Sequence, residues 1–314
     1  MPSPASAPKR LSVRLRFLAF LLVIAGLVGA FAAPLASLAI HAGGSDLDSY
    51  ILLIPIVSAY LVYLRWQSLP KEYAFSLGWA MIPFAAGAFS LFVAWNPEVF
   101  GQAWSQHDYL ALMALSFVFF FAAGSFFFLG RRWMAAAAFP FSFLFFLVPL
   151  PDRAADFLET ASKLASTEAA NLFFNMTATP VLRDGTVFQL PAITIQVAQE
   201  CSGIRSSLVL FITSLVAANL FLKSPWRRTV LVAAVIPLGI LRNGLRILFI
   251  GLLCTHIGPE MIHSVFHKRG GPPFFILSLV PLFLLLWWLR RGEMRRAQER
   301  KAISETDAKR IRVG

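Results

Sequence analysis

Charged residues are scarce in this chain. Only 14% of its 314 residues are Asp, Glu, Lys or Arg, 58% are hydrophobic, and the mean hydropathy is +0.69. A soluble globular domain carries about a quarter charged residues. The composition therefore excludes an ordinary soluble protein and predicts an all-α polytopic membrane protein.

Cysteine is almost absent as well. The two cysteines, Cys201 and Cys254, are far apart and form no C-x-x-C motif. This spacing argues against a zinc site and against a disulfide framework, although one bond between the two remains open. We predict no metal and no cofactor.

Basic residues outnumber acidic ones, 28 to 16, which gives a formal net charge of +12. They fall mainly at the two ends of the chain and between its apolar runs. That placement predicts membrane topology and contact with the anionic headgroups of the lipid bilayer. We therefore expect no nucleic-acid partner.

Long apolar runs dominate the chain, and each is near the roughly 20 residues that a helix needs to cross a bilayer. About eight transmembrane helices are predicted. No small-residue cleavage site closely follows the first run, so it is interpreted as a retained span and not as a removed signal peptide. The runs are 15–40, 50–66, 74–95, 109–130, 133–150, 204–222, 230–254 and 272–289.

Three parts follow from these runs. Residues 1–14 form a polar N-terminal tail, residues 15–290 a single multispanning membrane domain, and residues 291–314 a charged C-terminal tail. Within the domain, residues 151–200 carry many charges and no run long enough to span. Apolar residues at helical spacings predict an amphipathic helix there, lying on the membrane surface or packed on the bundle.

The same insert carries a strand signal after that helix. Asp184-Gly185 lies between β-prone residues, which predicts a β-hairpin, and residues 193–197 alternate apolar and polar as a third strand would.

The basic loops assign a side to each end of the helices. With eight spans, the two tails and the loops at 65–71, 131–132 and 223–228 all fall on one side, which the positive-inside rule makes cytoplasmic. The insert 151–200 then faces outward. We expect an integral, multi-pass plasma (inner) membrane protein with both termini in the cytoplasm.

Groups capable of chemistry meet on the outward side. Cys201 stands where the sixth span begins, and a helix N-terminus favours a thiolate. Arg246 follows Asn243 and Arg242 on roughly one face of the seventh span. Charged residues inside a span are costly, so they mark a pairing or a functional cavity; we interpret Arg242 as structurally paired and Arg246 as functional. His263 and His267 follow in the next loop.

Three motifs then carry a family resemblance. Glu-Cys-Ser-Gly-Ile-Arg-Ser at 200–206, Leu-Arg-Asn-Gly-Leu-Arg-Ile at 241–247 and His-Lys-Arg-Gly-Gly at 267–271 resemble those of the exosortase/archaeosortase family, over roughly residues 50–290. The resemblance implies Cys201 as nucleophile, Arg246 as the family's arginine and His267 as its histidine, with His263 in reserve. Asn243 belongs to the second motif.

That resemblance also implies a function. Family members are membrane cysteine transpeptidases or endopeptidases that cleave the C-terminal sorting signal of membrane-tethered exported proteins. A thioester at Cys201 would pass to an unidentified acceptor or to water. Glu200 beside the thiol would raise the pKa of the thiol unless Arg205 or Arg246 offsets its charge, and Arg205, one turn after Cys201, is well placed to do so.

Other classes stay open. Intramembrane arginines also mark transporters and channels, although spans one to five carry few polar residues. A non-catalytic scaffold or chaperone with the same fold is a second alternative. A serine-type intramembrane protease is disfavoured, because no Gly-x-Ser-x-Gly motif occurs.

Overall fold

The computed structural model describes residues 7–45, 47–70, 75–101, 103–191, 193–197, 203–258, 260 and 271–313. This part of the chain is mostly helical and holds one small β-sheet. It divides into two compact units, Met1–Ala155 and Asp156–Gly314, whose boundary falls inside a helix.

The helices of the first unit differ in length, from 6 residues in the two shortest to 24 residues in the two longest. Ser105 caps one of them, accepting a hydrogen bond from the Asp108 N–H at 2.9 Å, and Gly130 ends it with a φ of 87°. The helices are α1 Ala7–Ala30, α2 Ala32–Gly44, α3 Ile54–Leu64, α4 Leu77–Trp95, α5 Gln106–Leu129, α6 Arg131–Ala136 and α7 Ala138–Phe143. Short 3-10 turns join several of them, at Ser49–Leu53, Trp66–Ser68, Pro97–Phe100 and Leu144–Leu147.

The second unit combines helices with the sheet. Its elements are α8 Asp152–Met176, which begins just before the boundary, β1 Leu182–Asp184, β2 Val187–Gln189, β3 Thr194–Gln196, α9 Ile204–Phe221, α10 Pro225–Ala233, α11 Val235–His256 and α12 Gly271–Val313. Both strand pairs are antiparallel, in the order β1-β2-β3. Gly185 lies in the turn between β1 and β2 with a φ of 57°.

Five helical stretches of the described chain are long and apolar enough to span a membrane. They are Leu77–Trp95, Gln106–Leu129, Ile204–Phe221, Pro225–His256 and Pro273–Glu305. A sixth span results if Leu15–Ala30 and Ala32–Gly44, which bend by 67° at their junction, are counted together. Two further apolar stretches, Ser49–Leu64 and Ala138–Leu147, are shorter. The protein is thus an integral, multi-pass membrane protein, while a count of eight spans stays a prediction.

Glycines let α11 approach its neighbours closely. A Cβ on Gly244 would lie 2.8 Å from the Cβ of Ala169 in α8, and one on Gly251 would lie 2.7 Å from the ring of Phe174. Real Cβ atoms do not come this close, so no larger residue fits without a shift. The amphipathic helix α8 therefore packs on α11, while residues on its other side, such as Phe157, remain exposed.

The sheet is held on the same helix pair. Phe188 of β2 and Ile195 of β3 are buried in one cluster with Phe174 of α8. On the exposed side, both terminal nitrogens of Arg183 in β1 contact the two carboxylate oxygens of Glu168 in α8. This guanidinium lowers the pKa of the Glu168 carboxyl. Apolar burial and an ion pair together fix the sheet to α8.

Basic helix ends of the first unit gather at one end of their bundle. The Arg131 N–H donates to Ser76 Oγ at 3.2 Å, and the Arg131 guanidinium lies 4.6 Å from the ring centre of Trp79. The Arg16 guanidinium lies 4.5 Å from the ring centre of Phe75. The N-terminal end of α4, the end of α5 and the basic start of the first apolar run therefore share one side.

A second such grouping lies in the other unit. Glu293 of α12 accepts hydrogen bonds from the backbone N–H groups of Lys223 at 3.0 Å and Ser224 at 2.7 Å. Arg227 donates to the Leu289 carbonyl at 2.7 Å. The loop between α9 and α10 and the charged part of α12 thus share one side.

Candidate functional site

The start of α9 meets α11 at one backbone carbonyl. Gly203 is the N-cap of α9, with φ 71° and ψ 8°. Its carbonyl accepts hydrogen bonds from the Ser207 N–H at 3.1 Å, from Ser207 Oγ at 3.0 Å and from Ser206 Oγ at 3.2 Å. A further donor comes from α11, so this oxygen joins the two helices.

Arg242 is that donor. Its Nη2 lies 2.8 Å from the Gly203 oxygen and 3.2 Å from Ser207 Oγ, and the residue is only 6% exposed. A structural pairing was expected for Arg242, with either an acidic group or a backbone carbonyl; the pairing is confirmed, and its partner is a carbonyl. Hydrogen bonds to charged groups contribute about 1.5–3 kcal/mol, so this contact is a strong link between the two helices. Within the described chain, the Nη1 atom of Arg242 is buried and has no hydrogen-bond partner.

Position 203 has no room for a side chain. A Cβ there would lie 2.9 Å from Cγ of Asn243 and 3.0 Å from Arg242 Nη2. On α11, one turn before Arg242, a Cβ on Gly239 would lie 2.6 Å from Ser207 Oγ. Two separate features therefore require glycine at position 203: its left-handed backbone conformation and the close approach of α11. We call the contact of Gly203, Ser207 and Arg242 the α9–α11 anchor.

Three residues predicted for the site are described around this anchor. Asn243 is 2% exposed and faces Gly203. Arg246 is half-buried, one turn beyond Arg242 on α11, and Arg205 is exposed in the first turn of α9. Arg246 and Arg242 therefore lie on the same face of one helix.

The other predicted site residues, Cys201, His263 and His267, lie outside the described residues. Their roles stay predictions. Cys254, the second cysteine, is fully buried in α11.

Gly203 and Ser207 are the site residues that sequence reasoning missed. Both belong to the Cys-Ser-Gly-Ile-Arg-Ser-Ser stretch, yet the motif alone assigns neither of them a role. A glycine placed directly before a helix start is the available signal, because a left-handed N-cap residue favours glycine.

Fold and site together define a class: a multi-pass helical membrane protein with a buried arginine that ties one span to the start of another. The comparison with family models narrows that class. The model of the transmembrane exosortase family (Exosortase_EpsH) matches residues 42–284, most of the chain, and the protein belongs to that family. Membership implies, in general, a membrane transpeptidase or protease. No curated protein and no solved structure matches the chain.

Proposed function

We propose that this chain is a membrane cysteine transpeptidase or endopeptidase that cleaves the C-terminal sorting signal of membrane-tethered exported proteins. Cys201, as thiolate, attacks the scissile carbonyl carbon, and a thioester forms as the C–N bond breaks. The thiol proton, held by His267, passes to the leaving amine. An amine, a hydroxyl acceptor or water then attacks the thioester and releases Cys201.

The observation that carries this proposal is the α9–α11 anchor. Cys201 precedes Gly203 by two residues, so chain connectivity limits how far the thiol can lie from the carbonyl that Arg242 holds. Arg246 stands one turn from Arg242 on the same helix face. The anchor therefore supports a nucleophile and an arginine that work side by side.

Arg246 is assigned to the developing oxyanion. In acyl transfer, a preorganised cation or N–H donor aimed at that oxygen commonly stabilises the transition state more than any other group does. The backbone N–H groups at the start of α9 would share this role, since helix N-termini favour negative charge. Arg205 offsets the charge of Glu200 beside the thiol, and His263 is the reserve for His267.

The two groupings of basic helix ends support the proposed orientation in the membrane. Each grouping joins segments that the positive-inside rule assigns to the cytoplasm, such as those at Arg131 and Lys223. The chemistry then faces outward, and both termini are cytoplasmic. In a cysteine-free background, a membrane-impermeant maleimide should label Asp184→Cys in intact cells and spare Trp226→Cys. Both positions are exposed in the structure, so the reverse pattern would invert the orientation.

Processing of a substrate tests the enzyme. A tagged exported protein with a C-terminal apolar span and basic tail is expressed with wild-type chain, Cys201→Ser or Cys254→Ala. We expect Cys201→Ser to abolish cleavage and Cys254→Ala, the matched control in a buried position, to retain it. His267→Ala and His263→Ala, compared in the same assay, identify the base. Normal cleavage by Cys201→Ser would end the proposal.

A further inference from the structure

Four ionisable side chains of the first unit converge from separate segments. His41 lies near the end of α2, Asp48 follows that helix, His107 lies in the first turn of α5, and Asp152 is the first residue of α8. Asp48 Oδ2 lies 3.5 Å from His41 Nε2 and 3.2 Å from His107 Nε2. Residues of these types in contact are ligands for a cation or partners for a proton.

The spacing matches a tetrahedral ion. Zinc binds histidine nitrogen and carboxylate oxygen at about 2.0–2.2 Å, so two ligand atoms on a tetrahedral zinc are separated by roughly 3.3 Å. The two distances from Asp48 Oδ2 lie on either side of that value. The ligand atoms of His41, Asp48 and His107 all lie within 4.8 Å of one another.

His107 is oriented as a ligand. Its Nδ1 lies 2.7 Å from Asp152 Oδ1, so a hydrogen on Nδ1 is donated to that carboxylate. In the neutral ring, Nε2 then carries the lone pair, and this atom faces Asp48. Two acceptors at 3.2 Å need a positive charge between them, either a proton or a metal ion. Metal-binding histidines commonly donate their other N–H to a carboxylate in this way.

Asp48 provides an independent observation. The residue is only 2% exposed, and its second oxygen, Oδ1, is buried with no hydrogen-bond partner in the described part of the chain. Burying a carboxylate oxygen without a partner is costly. On a solvated acidic surface, water would hydrogen-bond to each carboxylate oxygen. At this buried position, a bound cation, or a water on that cation, would supply the missing partner of Oδ1.

We propose that His41, Asp48 and His107 bind one divalent transition-metal ion, with zinc the best fit to the donors and their spacing. Asp152 orients His107 from behind, and a water or Asp48 Oδ1 completes the coordination. The ion joins the end of α2 to the start of α5. This site is independent of the Cys201 chemistry, and it departs from the sequence prediction of no metal, because its ligands come from distant segments.

Metal binding by the full-length protein tests the site. The protein, purified in detergent with a histidine-free tag, is dialysed against zinc chloride above pH 7, and bound zinc is measured by mass spectrometry. We expect about one zinc per chain. Asp48→Asn and His41→Gln should each weaken binding at least 100-fold, and Asp152→Asn by about 10- to 100-fold. Cobalt in place of zinc should give the visible absorption of a tetrahedral site.

Matched controls lie elsewhere on the chain. Asp184→Asn and His256→Gln change exposed residues of the same types outside the cluster and should leave binding unchanged. The His41 side chain is 34% exposed, so His41→Gln should fold even if Asp48→Asn does not, and it then serves as the test variant. Binding that survives both variants, for example at His263 and His267, would overturn the proposal. A wild-type protein without stoichiometric zinc would also overturn the proposal. The contacts of Asp48 with His41 and His107 would then be those of protonated imidazoles.

Discussion

Arg242 in the second unit and Asp48 in the first are both buried charged residues, but their neighbours differ in kind. Arg242 donates to a backbone carbonyl and a hydroxyl at the start of the next span. Asp48 faces two imidazoles from separate helices and keeps one oxygen without a hydrogen bond among the described residues. The first is a structural link two residues along the chain from the proposed nucleophile; the second is the proposed set of metal ligands. The two should respond to different perturbations.

Removing the glycine of the anchor should have the largest effect. Gly203→Ala adds a Cβ at a left-handed residue, which costs roughly 1–2 kcal/mol, and forces overlap with Asn243, which costs about 1–3 kcal/mol more. The free energy of unfolding should fall by both amounts. Gly185→Ala is the matched control, because Gly185 has a similar φ but open space around it. Equal losses for the two variants, measured by thermal unfolding in detergent, would mean that the close approach of α11 contributes nothing.

Zinc should stabilise the protein through the Asp48 cluster without changing the reactivity of Cys201. At a free zinc concentration of 100 times Kd, the wild-type protein should gain about 2.7 kcal/mol in its free energy of unfolding, and Asp48→Asn should gain almost none. The rate at which Cys201 reacts with iodoacetamide should be the same in both proteins. A change in that rate on Asp48→Asn would show that the two clusters are coupled and would remove the contrast between them.

Breaking the hydrogen bond from Arg242 to Gly203 should slow substrate processing as well as lower stability. Arg242→Gln removes a charged hydrogen bond of about 1.5–3 kcal/mol, and substrate processing should slow by roughly 10- to 100-fold. Arg228→Gln removes a similar bond at the opposite end of α9, where Arg228 Nε donates to the Leu222 carbonyl at 2.8 Å. Processing should remain near normal in that control. Similar slowing by both variants would assign Arg242 a purely structural role.

The smallest effect is expected at the exposed ion pair of the insert. Arg183 lowers the pKa of Glu168, so the pair contributes above the usual glutamate pKa and is lost as pH falls through the lowered value. Exposed pairs contribute little, and Glu168→Gln should barely change thermal unfolding at pH 7. The difference from wild type should vanish in acid. Glu98→Gln, another exposed glutamate, serves as the control, and a large loss at pH 7 would make this pair essential to the insert.

Local patterns account for what the sequence predicted correctly. The family rests on contiguous motifs around residues 200–206 and 241–247, and it is confirmed. The pairing of Arg242 was predicted because a charge inside an apolar span needs a partner within reach. The segment 181–197, with its Asp-Gly turn and alternating residues, forms a three-stranded sheet.

Long-range contacts account for what was missed. His41, Asp48 and His107 meet only because α2 and α5 fold together, and nothing in their spacing along the chain indicates it. The bend of 67° near Phe31 and the short helix at Ala138–Leu147 depend on packing, which hydropathy does not report. The choice of Gly203 carbonyl as the partner of Arg242 likewise required the crossing of two helices.

The proposed reaction depends on a thioester between Cys201 and the substrate. Wild-type protein incubated with a tethered substrate is quenched in acid and its intact mass is measured before and after hydroxylamine. We expect an added mass equal to the acyl fragment of the substrate, which hydroxylamine removes and which is present in Cys254→Ala and missing in Cys201→Ser. Processing with no such adduct, or an adduct that persists in Cys201→Ser, would contradict it.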